Sequence, residues 1–212
     1  MVRRKDDAPA ELGLRELKKR RTRHDLCLAA RRLTVERGLD ATTTDDIAKA
    51  VGVSPRTFFN YYDTKLDAVL GPIGDIGTPE SRAQFIAGGP TGVLIDDLAR
   101  VYASSYVPED EVRENISLIT EIIKSEPRVV AGFFAAGVRH AAAVGELLTA
   151  RLGEVSPEFA ALTAGLMSTL TTHAAMSLAD HPDRPLATAL HEQCELAARL
   201  FRPDSDDKER HR

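Results

Sequence analysis

The segment TTDDIAKAVGVSPRTFFNYYDTK, residues 43–65, constrains this chain more than any other. It reads as two short helices joined by a glycine turn and followed directly by a third. Thr43 is a favoured N-cap, with Asp46 three residues on, where a capping box places its acidic partner. Ile47, Ala48 and Val51 form one inward stripe on the 3.6-residue period. Gly52 follows, where the chain needs a residue that tolerates positive φ. Ser54 and Pro55 then supply an N-cap and an N1 proline, and Val53 and Phe58 are spaced as a hydrophobic staple. Phe58 and Tyr62 share the inward face, which leaves Pro55, Arg56, Phe59 and Asn60 outward. An exposed helix tip with Arg, Thr and Asn suits the edges of bases in a DNA major groove. The pattern predicts a helix-turn-helix; the alternative is an ordinary αα-hairpin in an all-α protein.

Charge distribution favours the first reading. Residues 1–65 carry 15 Lys and Arg against 10 Asp and Glu, a net of +5; the remaining 147 carry 13 against 22, a net of −9. The overall −4 therefore hides a basic head on an acidic body, as expected when a nucleic-acid-binding domain is attached to something else. Just upstream lies Lys18-Lys19-Arg20-Arg21-Thr22-Arg23. Alone it is a solvated charge run; beside a helix-turn-helix it reads as a phosphate-seeking or minor-groove arm.

From Arg20 to Lys65 the chain resembles the DNA-binding domain of the TetR family of bacterial transcriptional regulators. The matching pieces are VERG (35–38), DATTTDDIAKAVGVS (40–54) and TFFNYYDTK (57–65), about a fifth of the chain. The resemblance implies a role for each matching position. Thr43 and Thr44 would contact backbone phosphate, and Arg56, Thr57 and Asn60 would face the bases beside Pro55. Tyr61 would reach a phosphate, and Lys65, opening the fourth helix, would pair with the backbone. Phe58 and Tyr62 match core positions. Phe59 stands where the family commonly has Tyr, so a phenolic hydrogen bond is lost and the ring is left to pack on sugar or a thymine methyl. Thr34 replaces a large aromatic common in the family's first helix.

The expected architecture is all-α: an N-terminal three-helix helix-turn-helix DNA-binding domain, then a C-terminal helical bundle for ligand binding and dimerisation. The expected boundaries are a flexible basic extension at 1–19, the DNA-binding domain at 20–66, the effector and dimerisation domain at 67–202 and a disordered tail at 203–212. Proline and glycine breaks delimit helices near 64–70, 91–106, 110–125, 128–152, 156–180 and 185–201, with 71–90 a loop holding at most one turn. Ser156-Pro157 repeats the Ser54-Pro55 start signal.

The 156–180 helix has small residues (Ala160, Ala161, Ala164, Gly165, Ser168, Ala174, Ala175) that let another helix approach, and the 185–201 helix carries a Leu/Phe stripe. The resemblance implies that these two helices form a four-helix bundle with a partner's copies. Small residues are also simply good helix formers. Large apolar groups in the bundle mark an effector lining: Leu98, Tyr102, Tyr106, Ile119, Ile123, Phe133, Phe134, Met167, Leu170, His173 and Met176. Aromatics and adaptable Met with few fixed polar groups suit a largely apolar small molecule. A packed core is the competing assignment for any one of them.

No catalytic constellation, cofactor fingerprint or metal-ligand spacing is present, so no enzyme activity, cofactor or metal is expected. Glu109-Asp110-Glu111 is an acidic helix start complementing the helix dipole. Cys27 and Cys194 are far apart, which fits a reducing compartment. There is no membrane-length apolar run and no secretory leader, and the expected location is cytoplasmic. The expectation is a transcriptional regulator, most simply a homodimeric repressor that a hydrophobic effector releases from palindromic double-stranded DNA. The alternative is an all-α protein that binds a hydrophobic ligand or partner without using its N-terminal hairpin on DNA.

Overall fold

The computed structural model describes residues 7–74, 76–105, 110–178, 181 and 184–201, with side chains from Arg15 onward. Tyr106 and the tail 203–212 lie outside the described residues. Among the described residues every regular element is helical. The order is α1 (Asp7–Arg37), α2 (Thr44–Val51), α3 (Pro55–Phe59), α4 (Lys65–Leu70), α5 (Pro79–Ile86), α6 (Leu94–Ala103), α7 (Asp110–Ser125), α8 (Pro127–Leu152), α9 (Pro157–Ser177) and α10 (Leu186–Ala198). A 3₁₀ turn at Arg199–Phe201 follows α10. None of the described helices is long and apolar enough to cross a membrane.

Two differences from the sequence reading have local causes. Helix α1 begins at Asp7 rather than near Arg20, because the upstream residues are mostly strong helix formers (Ala, Glu, Leu, Lys and Arg), with Pro9 in the first turn, where a missing N–H is tolerated, and Gly13 as a single weak position. The basic run is thus helical and not a free arm. Helix α5 occupies the expected loop, started by Thr78-Pro79, the same N-cap and N1 signal as at Ser54-Pro55. Its capping box closes with Ser81 in place of the usual Glu or Gln.

The chain forms two compact units. One takes residues up to Ile73 together with Ser117–Ala136, so the second half of α7 and the start of α8 join it. The expected boundary at 66/67 had left that segment to the effector domain. The reason is apolar: Ile122 and Val129, fully buried, and the half-buried Ile119 and Phe133 join a core of Leu26, Cys27, Ala30, Ile47, Ala48, Phe58, Tyr62, Val69 and Leu70. Gly132 on α8 allows this approach, since a Cβ there would lie 2.8 Å from a Leu70 methyl. Arg31, itself buried, donates from Nε to the Val69 carbonyl (2.8 Å) and from Nη2 to the Leu70 carbonyl (2.9 Å). A cation so placed satisfies the end of α4 and meets the negative pole of its dipole.

The other unit takes residues 74–116 and 137–212. Its core joins Phe85, Leu98, Val101, Tyr102, Val144, Leu148, Met167, Leu170, Leu186 and Leu190. Asp97 and Arg151 are buried as an ion pair at 2.8 Å. Asp97 Oδ1 also accepts the Thr91 backbone N–H and hydroxyl, both at 2.8 Å, while Arg151 lies over the Phe85 ring, 4.7 Å from its centroid. Burial alone would raise the Asp97 carboxyl, but the Thr91 and Arg151 contacts outweigh it and hold the pKa below its usual value. The small residues of α9 prove largely internal. Ala160, Ala164, Ala174 and Ala175 are buried within the unit, and Gly145 of α8 lies against Ala160, leaving only 3.2 Å to its methyl from an added Cβ.

Candidate nucleic-acid interface

Three side-chain caps define α2, α3 and α4. Thr43 caps α2, its hydroxyl accepting the Asp46 N–H at 3.1 Å and donating to the Asp46 carboxylate at 2.6 Å. That hydroxyl, and then the Arg37 guanidinium at 2.7 Å, hold the Asp46 carboxyl below its usual range. The Arg37–Asp46 pair thereby ties the end of α1 to the first turn of α2. Gly52 adopts φ 76°, ψ 28°, and the next N–H, of Val53, reaches back to the Ala48 carbonyl at 2.9 Å, closing α2. Ser54 caps α3 by accepting the Thr57 N–H at 3.0 Å, and Thr64 caps α4 likewise on Asp67. The two helices and their turn are set by side chains within three residues of each helix start.

On this frame α3 buries Phe58 completely and presents its other side to solvent. Pro55, Arg56, Phe59 and Asn60 are exposed, as is Thr43. Thr44, Thr57, Tyr61 and Lys65 are half-buried. Phe59 is 53% exposed, held edge-on against Phe58 with ring centroids 5.3 Å apart. A phenyl ring fixed this way offers an apolar surface, as contact with a sugar or a thymine methyl requires. Thr57 also shares its hydroxyl with Ser54 at 2.8 Å, and Asn60 is the C-terminal cap position of α3, so the last outward residue stands at the end of the helix rather than within it.

Lys65 has a task the sequence did not reveal. Its ammonium donates to the carbonyls of Asp40 (3.1 Å) and Thr42 (2.9 Å), fastening the loop that delivers Thr43 to α2. The same loop is held from the other side by Arg128 of α8, which bonds Asp40 at 2.8 Å and Glu126 at 2.7 Å. Arg128 in turn keeps both carboxyls below their ordinary pKa. Glu126 is two positions from Arg128, but the Lys65 and Arg128 bonds to Asp40 and Thr42 span 23 to 88 positions, so no local pattern announces them.

The expected effector residues are divided between the units. Leu98, Tyr102, Met167 and Leu170 are buried together, with Tyr102 Oη 2.8 Å from His140 Nε2. His173 and Met176 are exposed on α9, because the inward row there runs through Met167, Leu170 and Ala174. In the other unit Ile119 and Phe133 are half-buried, whereas Ile123 and Phe134 are exposed, Phe134 by 80%. The described residues among the eleven therefore do not share one lining within either unit.

Comparison with known proteins bears on the helix-turn-helix. Residues 26–68 match the family described as "Bacterial regulatory proteins, tetR family". Over 64 residues the chain is 45% identical to the HTH-type transcriptional regulator TcmR of Streptomyces glaucescens, a match covering 30% of this chain and 28% of TcmR. The similarity thus spans less than a third of that relative. A solved structure, Thermus thermophilus FadR, described as a TetR family transcriptional repressor in complex with lauroyl-CoA, is 26% identical with a TM-score of 0.41, covering 82% of this chain and 92% of that one. The described α2, α3 and the start of α4, with their caps and the exposed face of α3, lie inside the segment that matches the family of bacterial regulatory proteins, and over residues 26–68 the chain is similar to that TetR family.

Proposed function

We propose that this chain is a DNA-binding transcriptional repressor that acts as a homodimer on a palindromic operator and is released by a hydrophobic small molecule. The observation that carries the reading is the exposed edge of α3, where Arg56, Phe59 and Asn60 project from a helix pinned by the buried Phe58. Arg suits guanine O6 and N7, and Asn suits adenine. A five-residue helix reads few base pairs, so useful specificity calls for two copies on a two-fold site.

Apolar groups left on the surface support a second copy. Leu162 and Met176 of α9 are 71% and 54% exposed, and Leu196 of α10 with Leu200 and Phe201 of the 3₁₀ turn after it are 55% to 83% exposed. Side chains of this kind in number mark an association surface. The effector reading rests on the apolar surroundings of Leu98, Tyr102, Met167 and Leu170, relieved by the Tyr102–His140 pair. Burial lowers the His140 pKa, keeping the imidazole neutral and suited to an uncharged ligand. Release requires the effector to favour the state that does not bind DNA, since equal affinity for both states shifts nothing.

The test is selection of bound duplexes from a random pool, followed by a salt titration and a screen of hydrophobic compounds. The reading expects a palindromic consensus, a steep loss of affinity with salt, and compounds that raise the melting temperature while dissociating the complex. Binding without salt dependence, or release only by sugars, metal ions or small polar amino acids, would count against it.

A further inference from the structure

We propose that the N-terminal half of α1 is a second DNA-contacting surface, in which Arg15, Lys18 and Lys19 neutralise phosphates flanking the bases read by α3. The inference rests on the DNA-binding reading above and extends it to residues outside the family match, which begins at Leu26.

Leu26 and the half-buried Leu33 of α1 pack into the helix-turn-helix core. On the 3.6-residue period Lys19 lies about two turns before Leu26 and Arg15 about five turns before Leu33, so both share that side of the helix, with Lys18 at its edge. The side of α1 that packs on its own domain therefore turns basic where the domain's core ends. Arg15, Glu16, Leu17, Lys18 and Lys19 are all exposed, so no protein surface in the described unit takes over from the core.

One contact fixes where this happens. Tyr62, three residues beyond α3, donates its hydroxyl to the Arg23 carbonyl at 3.0 Å. α1 thus passes the end of the recognition helix at Arg23. With a rise of about 1.5 Å per residue, Lys19 lies about 6 Å and Arg15 about 12 Å further along the axis. Phosphates on one strand recur about every 3.4 Å of duplex axis, so each cation has a separate phosphate within that span.

The test is the full-length protein carrying Arg15→Gln, Lys18→Gln and Lys19→Gln together, titrated by fluorescence anisotropy on a random-sequence duplex of about 30 base pairs across about 50–200 mM salt. Three lost phosphate contacts should reduce the slope of log K against log salt by about 2.7. Arg56→Ala, which removes a single cation, should change it by no more than about 0.9. Wild-type protein with a steep slope that the triple variant keeps would overturn the proposal and leave DNA binding intact. Wild-type protein that binds no duplex would overturn the DNA-binding reading and this surface with it. Gln is a good helix former, so ellipticity should be held; a triple variant that loses it would also overturn the proposal, by giving these cations a folding role.

Discussion

Lys65→Met separates two roles for one cation. The resemblance gives Lys65 to a backbone phosphate, whereas the structure commits its ammonium to the Asp40 and Thr42 carbonyls at 3.1 and 2.9 Å. Methionine keeps most of the apolar stem and removes both hydrogen bonds. A bond to a charged donor contributes about 1.5–3 kcal/mol when sheltered, and both figures shrink here, because the Asp40 bond is exposed and water can replace it. The Thr42 bond is partly buried, and its residue is fully so. The expected loss is therefore about 1–2 kcal/mol in all, a fall in melting temperature of about 2–8 °C for a chain of this size. The loop 38–42 also sets the position of the Thr43 cap, so specific binding should weaken while the salt slope changes by less than about 0.9. Thermal unfolding by circular dichroism, with anisotropy titrations in parallel, reads both quantities. A variant that melts within about 1 °C of wild type yet loses a full phosphate's worth of slope would refute the clamp and restore Lys65 to the DNA backbone.

Three further outcomes are expected. Arg56→Ala should cost about 1–3 kcal/mol of preference for operator over random duplex, measured by competition binding; an unchanged preference would remove α3 from base reading. Leu162→Glu, at a site 71% exposed, should shift sedimentation from dimer to monomer without lowering the melting temperature of the protomer, and Ala164→Glu should instead unfold it, because Ala164 is buried. Asp97→Asn should cost about 3–5 kcal/mol by leaving Arg151 buried and unpaired, read by denaturant titration at neutral pH. The folded Asp97 pKa is depressed, so its contribution is complete above the unfolded value near 3.9 and is lost as pH falls through the folded value. The difference between wild type and Asp97→Asn should accordingly narrow only in acid.

What could be read from the chain alone was local. Thr43, Ser54 and Thr64 bond N–H groups three residues on, and Gly52 needs only its own φ, so these signals survive in any context that permits the helices. The burial of Phe58 in α3 and of Tyr62 just beyond it was legible for the same reason, as a helical period applied to the two. Helix α5 was written in the same code at Thr78-Pro79, but the glycines around it favoured a loop. The interior role of Ala164, the neighbours of Lys65 and the joining of 117–136 to the helix-turn-helix core were not legible. Small residues look alike on an inner and an outer helix face, and a carbonyl that accepts a distant ammonium carries no side-chain signature. The pairing of Arg128 with Asp40 spans 88 positions, and only the folded chain brings them together. Hydrogen-bonding rules within one helical turn are properties of the sequence; which faces are covered, and by what, follows from the burial of apolar surface by the whole chain.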